Sequence, residues 1–180
     1  MPQRQWTLLG SEAVSDHRVF RIRHDRYRFE PSGQQRDFVV LESPSWVNVI
    51  PITAAGKVVL IRQYRHGIRD VTLEIPGGIM EPDETPEAAA RRELREETGY
   101  TAEKLRSLGR VLPNPAIQNN YCYLFAAEGC RYAGAATPDP FEHIEVLECP
   151  LADIPAMIRS GQIAHSMVIA AFALLEWVPA

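Results

Sequence analysis

The sequence predicts an α/β sandwich built on a mixed sheet, and three features carry that expectation. Strand-like runs and helical segments are interspersed without the regular strand-helix-strand repeat of a doubly wound fold. A helix with clear start and stop signals lies mid-chain, between residues 85 and 99. No repeat, low-complexity tract or linker-like stretch divides the 180 residues, and a chain of that length with 46% hydrophobic residues buries a core without disulfide or metal staples.

The N-terminal segment, residues 1–45, reads as a β-element: Arg18 to Arg26 and Asp37 to Glu42 are strand-like and flank a turn at Pro31-Ser32-Gly33. It has no evident place in the core of the main domain, residues 46–180. Its strand edges invite pairing with a second copy, so a homodimer is expected. Val47 to Thr53 and Lys57 to Tyr64 are β-rich runs joined by Ala54-Ala55-Gly56, which predicts an antiparallel pair. The mid-chain helix has Thr85 to cap it, Pro86 at its first position, Glu87 where an acid favours the dipole, and Gly99 to end it. Strands follow around Leu105 to Val111, Tyr121 to Ala127 and Ile144 to Cys149, then a short helix near Leu151 to Ser160 stopped by Gly161. A final helix from about Ser166 to Trp177 holds the longest apolar run, Met167 to Leu175. That is about half the roughly 20 residues a membrane-spanning helix needs, so it reads as a core helix.

A net charge of −4 and a pI near 5.7 supply no bulk attraction for nucleic acid or an anionic membrane, though a local basic site for a small anion is compatible with them. Cys122, Cys130 and Cys149 form no C-x-x-C pair and read as reduced, structural thiols. The opening MPQRQWTLLG has no apolar stretch of signal length. A cytoplasmic protein is expected.

The helix places Glu93, Glu96 and Glu97 on one face near its negative end. Like charges at that spacing repel by a few tenths of a kcal/mol each, and the dipole adds roughly 0.3–1 kcal/mol, so a positive partner is expected. Either it is a solvated face neutralised by Arg91, Arg92 and Arg95, or the carboxylates hold a cation.

The phrase GGIMEPDETPEAAARRELREETGY, residues 77–100, decides between them. It resembles the Nudix box, G-x5-E-x7-R-E-U-x-E-E-x-G-U, with Gly78, Glu84, Arg92, Glu93, Leu94, Glu96, Glu97 and Gly99 on their positions and only Tyr100 departing from an aliphatic choice. The resemblance implies a Nudix α/β/α sandwich with a mixed sheet and an N-terminal β-element. It also implies a pyrophosphatase using Mg²⁺, or Mn²⁺ in its place. Glu93, Glu96 and Glu97, joined by the backbone carbonyl of Gly77, would be metal ligands, in keeping with the preference of Mg²⁺ for oxygen donors. Glu96 and Glu97 would thereby act in catalysis, while Glu84 and Arg92 would form an ion pair that shapes the loop and helix, with Gly78 and Gly99 in support.

The run IRQYRHGIRDVTLEIPGG, residues 61–78, is similar to the segment before the box in ADP-ribose and nucleoside-diphosphate-sugar pyrophosphatases. That likeness puts Arg65 near the substrate phosphates and Glu74 beside the site; without it Arg65 reads as a solvated strand-end charge. Pro115 falls where ADP-ribose enzymes tend to carry a proline. Two departures point away from simple ADP-ribose hydrolysis. The loop NPAIQNNYCYLF, residues 114–125, is more like that of bacterial nucleoside-diphosphate-sugar hydrolases; there Gln118, Asn119 and Asn120 would meet sugar hydroxyls, or else simply form a turn. In TPDPFEHIEV, residues 137–146, one customary acidic position is Pro140, which leaves Glu142 as catalytic base or extra ligand, with a solvated loop charge as the bland alternative. Phe29 or Trp46 would stack on the nucleobase across a dimer axis, against their simpler reading as packing residues. His143 and His165 read as ordinary loop residues.

The expected reaction is Mg²⁺-dependent hydrolysis of a nucleoside diphosphate sugar to a nucleoside monophosphate and a sugar phosphate. ADP-ribose is the nearest alternative substrate. A non-catalytic nucleotide sensor is disfavoured because every box glutamate is present, and a triphosphatase because such chains tend to lack the N-terminal β-element.

Overall fold

A computed structural model describes residues 5–138 and 141–178; Pro140 lies outside the described residues. The chain forms two compact units, Met1–Pro44 with Leu112–Tyr121, and Ser45–Val111 with Cys122–Ala180.

In the first unit β1 (Trp6–Asp16), β2 (Arg21–Phe29) and β3 (Gln35–Glu42) form an antiparallel sheet in chain order. The turn at Pro31-Ser32-Gly33 links β2 to β3 as expected. β1 was not anticipated. Two register irregularities, at Leu8/Gly10 and Ala13/Ser15, break its alternation, and almost all of its residues are exposed, so the usual period of two is unreadable there.

Alternation decides the layers of the second unit. Along β4 (Trp46–Thr53), Val47 and Val49 join one apolar cluster while Trp46, Ile50 and Ile52 join another. β10 (Cys122–Tyr132) runs parallel to β4 and divides in the same way, with Phe125 and Ala127 on the first side and Cys122, Leu124 and Ala126 on the second. α1 (Pro86–Thr98) covers the first side with Ala89, Ala90 and Leu94. α2 (Ile154–Arg159) and α3 (Ser166–Trp177) cover the second with Ile154, Met167, Val168, Ala171 and Phe172. The result is a helix-sheet-helix sandwich, and the Met167 to Leu175 run lies in its core helix. Among the described residues no helix is long and apolar enough to cross a membrane.

The strand β5 (Lys57–Arg65) pairs with β4 through Ile52 and Val58 alone, a far shorter contact than the hairpin expected from sequence. β5 diverges to pair with β6 (Asp70–Glu74) and β11 (Ile144–Pro150). β4 instead takes β7 (Gly77–Ile79) as an antiparallel neighbour, setting Trp46 against Ile79, Val47 against Gly78 and Asn48 against Gly77. That exchange carries the two glycines to the sheet edge beside α1. The short strand β8 (Tyr100–Thr101) and then β9 (Lys104–Val111) complete the sheet against β10.

Candidate active site

The end signals of α1 work as the sequence indicated. Thr85 accepts a hydrogen bond from the Ala88 N–H at 3.2 Å, Pro86 opens the helix, and Gly99 closes it in the left-handed region at φ 75°. With both ends held, the register of the helix is set, and its glutamates take fixed places.

Glu97 is the buried one, 3% exposed. Its Oε2 accepts from the Gly77 N–H at 2.8 Å, and no ion pair among the described residues reaches it. Burial pushes its carboxyl up to about 8, against the opposing pull of that hydrogen bond, and the charges of Glu93 and Glu142 push the same way. Glu93 lies against Gly78, where a Cβ would collide with its carboxylate; here glycine is required by close approach. Burial also raises Glu93 above the usual carboxylate range, although Arg92 opposes it. Glu96 is the more exposed carboxylate.

Arg92 organises this face. Its guanidinium forms a two-pronged pair with Glu84, at 3.0 and 2.9 Å, and donates to the Ile79 carbonyl at 3.1 Å. Its Nη1 also reaches Glu93 at 2.8 Å and Glu96 at 3.1 Å. Glu84 in turn accepts from the Glu81 N–H, closing the loop before α1. These bonds hold the Arg92 guanidinium well above its usual range, with Glu84 the largest influence. The other two arginines do not neutralise the glutamate face. Arg91 pairs with Glu87, and Arg95 donates to the carbonyls of Gly99 and Gly134 at 2.9 Å each. The sequence offered Arg95 only as a neutraliser of the glutamates and missed this latch; a basic residue four before the closing glycine was the available signal.

Because Arg92 draws Glu93 and Glu96 one way and Gly77 draws Glu97 another, no three His, Cys, Asp or Glu side chains among the described residues are gathered closely enough to hold a metal ion. The three carboxylates belong to one helix face but do not converge. The contact between Gly77 and Glu97 runs through the glycine N–H.

Across the sheet edge, Arg65 and Glu74 form a second two-pronged pair at 2.8 and 2.7 Å. Arg65, at the end of β5 and part-exposed, is therefore held in an ion pair. The hydroxyl of Thr72, also missed from sequence, donates to Glu74. Burial opposes ionisation of Glu74, but Arg65 and Thr72 together outweigh it and hold the carboxyl below its usual range. The negative charges of Glu97 and Glu142 act on Arg65, so these groups share one electrostatic neighbourhood. Glu142 is exposed and stands two residues before β11, whose ladder sets Ile144 opposite Gln63.

Other expected residues have different surroundings. Trp46 packs on the α3 side of the core. Phe29, in the first unit, packs with Trp6 at 4.7 Å between ring centres. Gln118, Asn119 and Asn120 also belong to the first unit. There the Ile117 carbonyl accepts from the Leu41 N–H, Asn119 accepts from the Ser43 N–H at 3.3 Å, and Asn120 donates to the Pro44 carbonyl at 3.0 Å. Asn119 and Asn120 thus fasten the loop to the end of β3. His165 caps α3 by accepting from the Met167 N–H.

Residues 43–172 match the family described as NUDIX domain. The chain is 31% identical over 147 residues to an "ADP-ribose pyrophosphatase" of Bacillus subtilis (strain 168), a match spanning 81% of this chain and 80% of that one. It is 30% identical over 169 residues to a "Methanol dehydrogenase activator" of Bacillus methanolicus, spanning 93% and 91%. The solved structure of an "ADP compounds hydrolase" superposes with a TM-score of 0.86 over 99% of this chain and 96% of that one, a likeness of fold at 24% identity. The helix-sheet-helix sandwich is thus a shared fold, and the chain belongs to the NUDIX family as a hydrolase acting on phosphoanhydride bonds.

Proposed function

We propose that the protein hydrolyses the pyrophosphate link of a nucleoside diphosphate sugar, with Mg²⁺ as cofactor. Water adds to one phosphorus, the bridging P–O bond breaks, and a nucleoside monophosphate and a sugar phosphate leave. The observation that carries this reading is Glu97, a buried carboxylate beside Glu93 with a backbone N–H as its hydrogen-bond partner and no ion pair among the described residues. A buried carboxylate without a cation is costly, and binding a cation relieves that cost.

The donor set suits a hard divalent cation in its chemistry, since Glu93, Glu96 and Glu97 offer only oxygen ligands from one helix face, and a bound cation would draw together carboxylates that Arg92 and Gly77 otherwise hold apart. When bound, the metal supplies charge neutralisation at the phosphates and lowers the pKa of water. Arg92 holds Glu93 and Glu96 and keeps the helix face in place. Arg65, fixed by Glu74, presents a planar cation to phosphate oxygens, with Nη1 outside its pair. Glu142 accepts the proton of the attacking water, in keeping with the reach of its charge to Glu93 and Glu97.

ADP-ribose, itself a nucleoside diphosphate joined to a sugar, is the nearest alternative within the same chemistry, and the name of the Bacillus subtilis relative favours it. The name of the Bacillus methanolicus relative raises a regulatory reading in which nucleotide binding signals to a partner protein. The full set of box carboxylates favours catalysis. The first unit serves as a dimerisation element in this reading, with Phe29 as base platform across the dimer axis, and the protein works in the cytoplasm, where its three free cysteines stay reduced.

A panel of sugar nucleotides, ADP-ribose and nucleoside triphosphates, assayed with Mg²⁺ and with chelator, tests the proposal. Metal-dependent release of a nucleoside monophosphate from the sugar nucleotides is expected. Cleavage confined to ADP-ribose would move the assignment to that substrate, cleavage confined to triphosphates would overturn it, and tight binding without turnover would establish the sensor.

A further inference from the structure

β5 carries a buried group that the catalytic reading does not use. Val58 and Leu60 of this strand turn toward α3, so Val59, Ile61, Gln63 and Arg65 turn to the opposite side, the side of α1. Gln63 is 7% exposed, and its Oε1 is buried without a hydrogen-bond partner among the described residues. Its neighbours in the sheet are Thr72 on one side and Ile144 on the other. Thr72 donates to Glu74, which pairs with Arg65, and Ile144 lies two residues after Glu142. Gln63 therefore stands between the strand that carries Glu74 and the segment that carries Glu142.

An amide oxygen left without a donor in a buried place costs roughly 1–3 kcal/mol. Few such groups persist in a folded protein, and those that do call for a reason. Arg65 supplies donors and the phosphates supply acceptors, so the ligand atom suited to an orphan acceptor at this place is an O–H. We propose that Gln63 is a further residue of the active site, whose amide oxygen accepts a hydrogen bond from the attacking water and so turns its lone pair toward phosphorus. A glutamine amide is suited to this task because it orients water without competing for its proton. The inference rests on the catalytic reading above, in which the Arg65, Glu97 and Glu142 side of the sheet is where hydrolysis occurs.

The orphan acceptor makes the prediction sharp, because function and stability should move in opposite directions. Gln63→Leu keeps the size of the side chain and removes the amide. It should lower kcat about 10- to 100-fold with KM changed less than about threefold, while Tm stays level or rises. Gln63→Met, also apolar but differently shaped, should give the same split, which guards against a packing fault peculiar to leucine. Activity is measured at 25 °C on protein shown by circular dichroism to be folded. An unchanged kcat in both variants overturns the proposal, with a lowered Tm marking a structural water at Gln63 and a raised one marking a merely frustrated group. Glu97→Gln, run beside them, separates the two levels. If it abolishes turnover while the Gln63 variants keep theirs, only the role of Gln63 fails. If Glu97→Gln itself stays active, the catalytic reading fails first.

Discussion

Glu97 concentrates the energetics of the site in one side chain. In an unfolded chain a glutamate titrates near about 4.3, whereas burial moves Glu97 to about 8 in the folded protein. Between those values the folded state holds a proton that the unfolded chain has released. The contribution of Glu97 to stability therefore falls as pH rises from about 4 to about 8. At about 1.4 kcal/mol per pH unit, the cost reaches a few kcal/mol at pH 8 in the absence of metal. Glu97→Gln should accordingly be more stable than the unsubstituted protein at pH 8 with chelator present, and the difference should vanish toward pH 4.5. Mg²⁺ should raise the Tm of the unsubstituted protein at pH 8 and have much less effect on the variant. Thermal unfolding across pH checks both; a destabilised Glu97→Gln at pH 8 would show that the carboxylate is satisfied by the protein alone.

The element that positions this chemistry is α1, and its two ends contribute unequally. Loss of the Thr85 side chain removes one cap hydrogen bond, so Thr85→Ala should cost about 1 kcal/mol. Gly99→Ala should cost clearly more, because alanine disfavours φ 75° and its Cβ would collide with the Gly134 carbonyl. That carbonyl is also an acceptor for Arg95, and the Thr137 N–H donates to the Glu96 carbonyl, so the last turn of the helix and the segment after Tyr132 are fastened together. Denaturant titration of the two variants tests the ranking, with equal losses counting against the packed C-terminal latch. The termini of α1 were legible in the sequence because capping depends on residues within one or two turns. The Arg95 latch was not, since its acceptor lies 39 residues away.

For the molecule as a whole, the N-terminal sheet poses the question of assembly. Trp6, Leu8, Leu9 and Val14 of β1 are each more than two fifths exposed. An apolar, largely uncovered strand is a liability that a second copy resolves, most simply about a two-fold axis. Light scattering at micromolar concentration should give twice the 20.3 kDa chain mass, and Trp6→Glu with Leu8→Lys should reduce it. A mass at 20.3 kDa for the unsubstituted protein would remove the dimer.

What the sequence determined by itself was whatever depends on near neighbours in the chain: the limits of α1 and α3, the carboxylates sharing one helix face, and the brace between Glu84 and Arg92, whose partners are eight residues apart. What the tertiary structure decided depends on pairings made across long separations. β4 gives up β5 after one residue pair and takes β7, and this brings the Gly77 N–H to Glu97 across 20 residues. The same sheet places Ile144 beside Gln63, while within the first unit hydrogen bonds assign Asn119 and Asn120 to the end of β3 instead of leaving them in an open loop. A hydrophobic pattern shows which face of a strand is buried but not which strand lies beside it, because backbone hydrogen bonding is the same for every partner and the choice is made by packing of the whole core. For that reason the proposed ligands were readable as residues, while the burial that makes Glu97 costly became visible only in the fold.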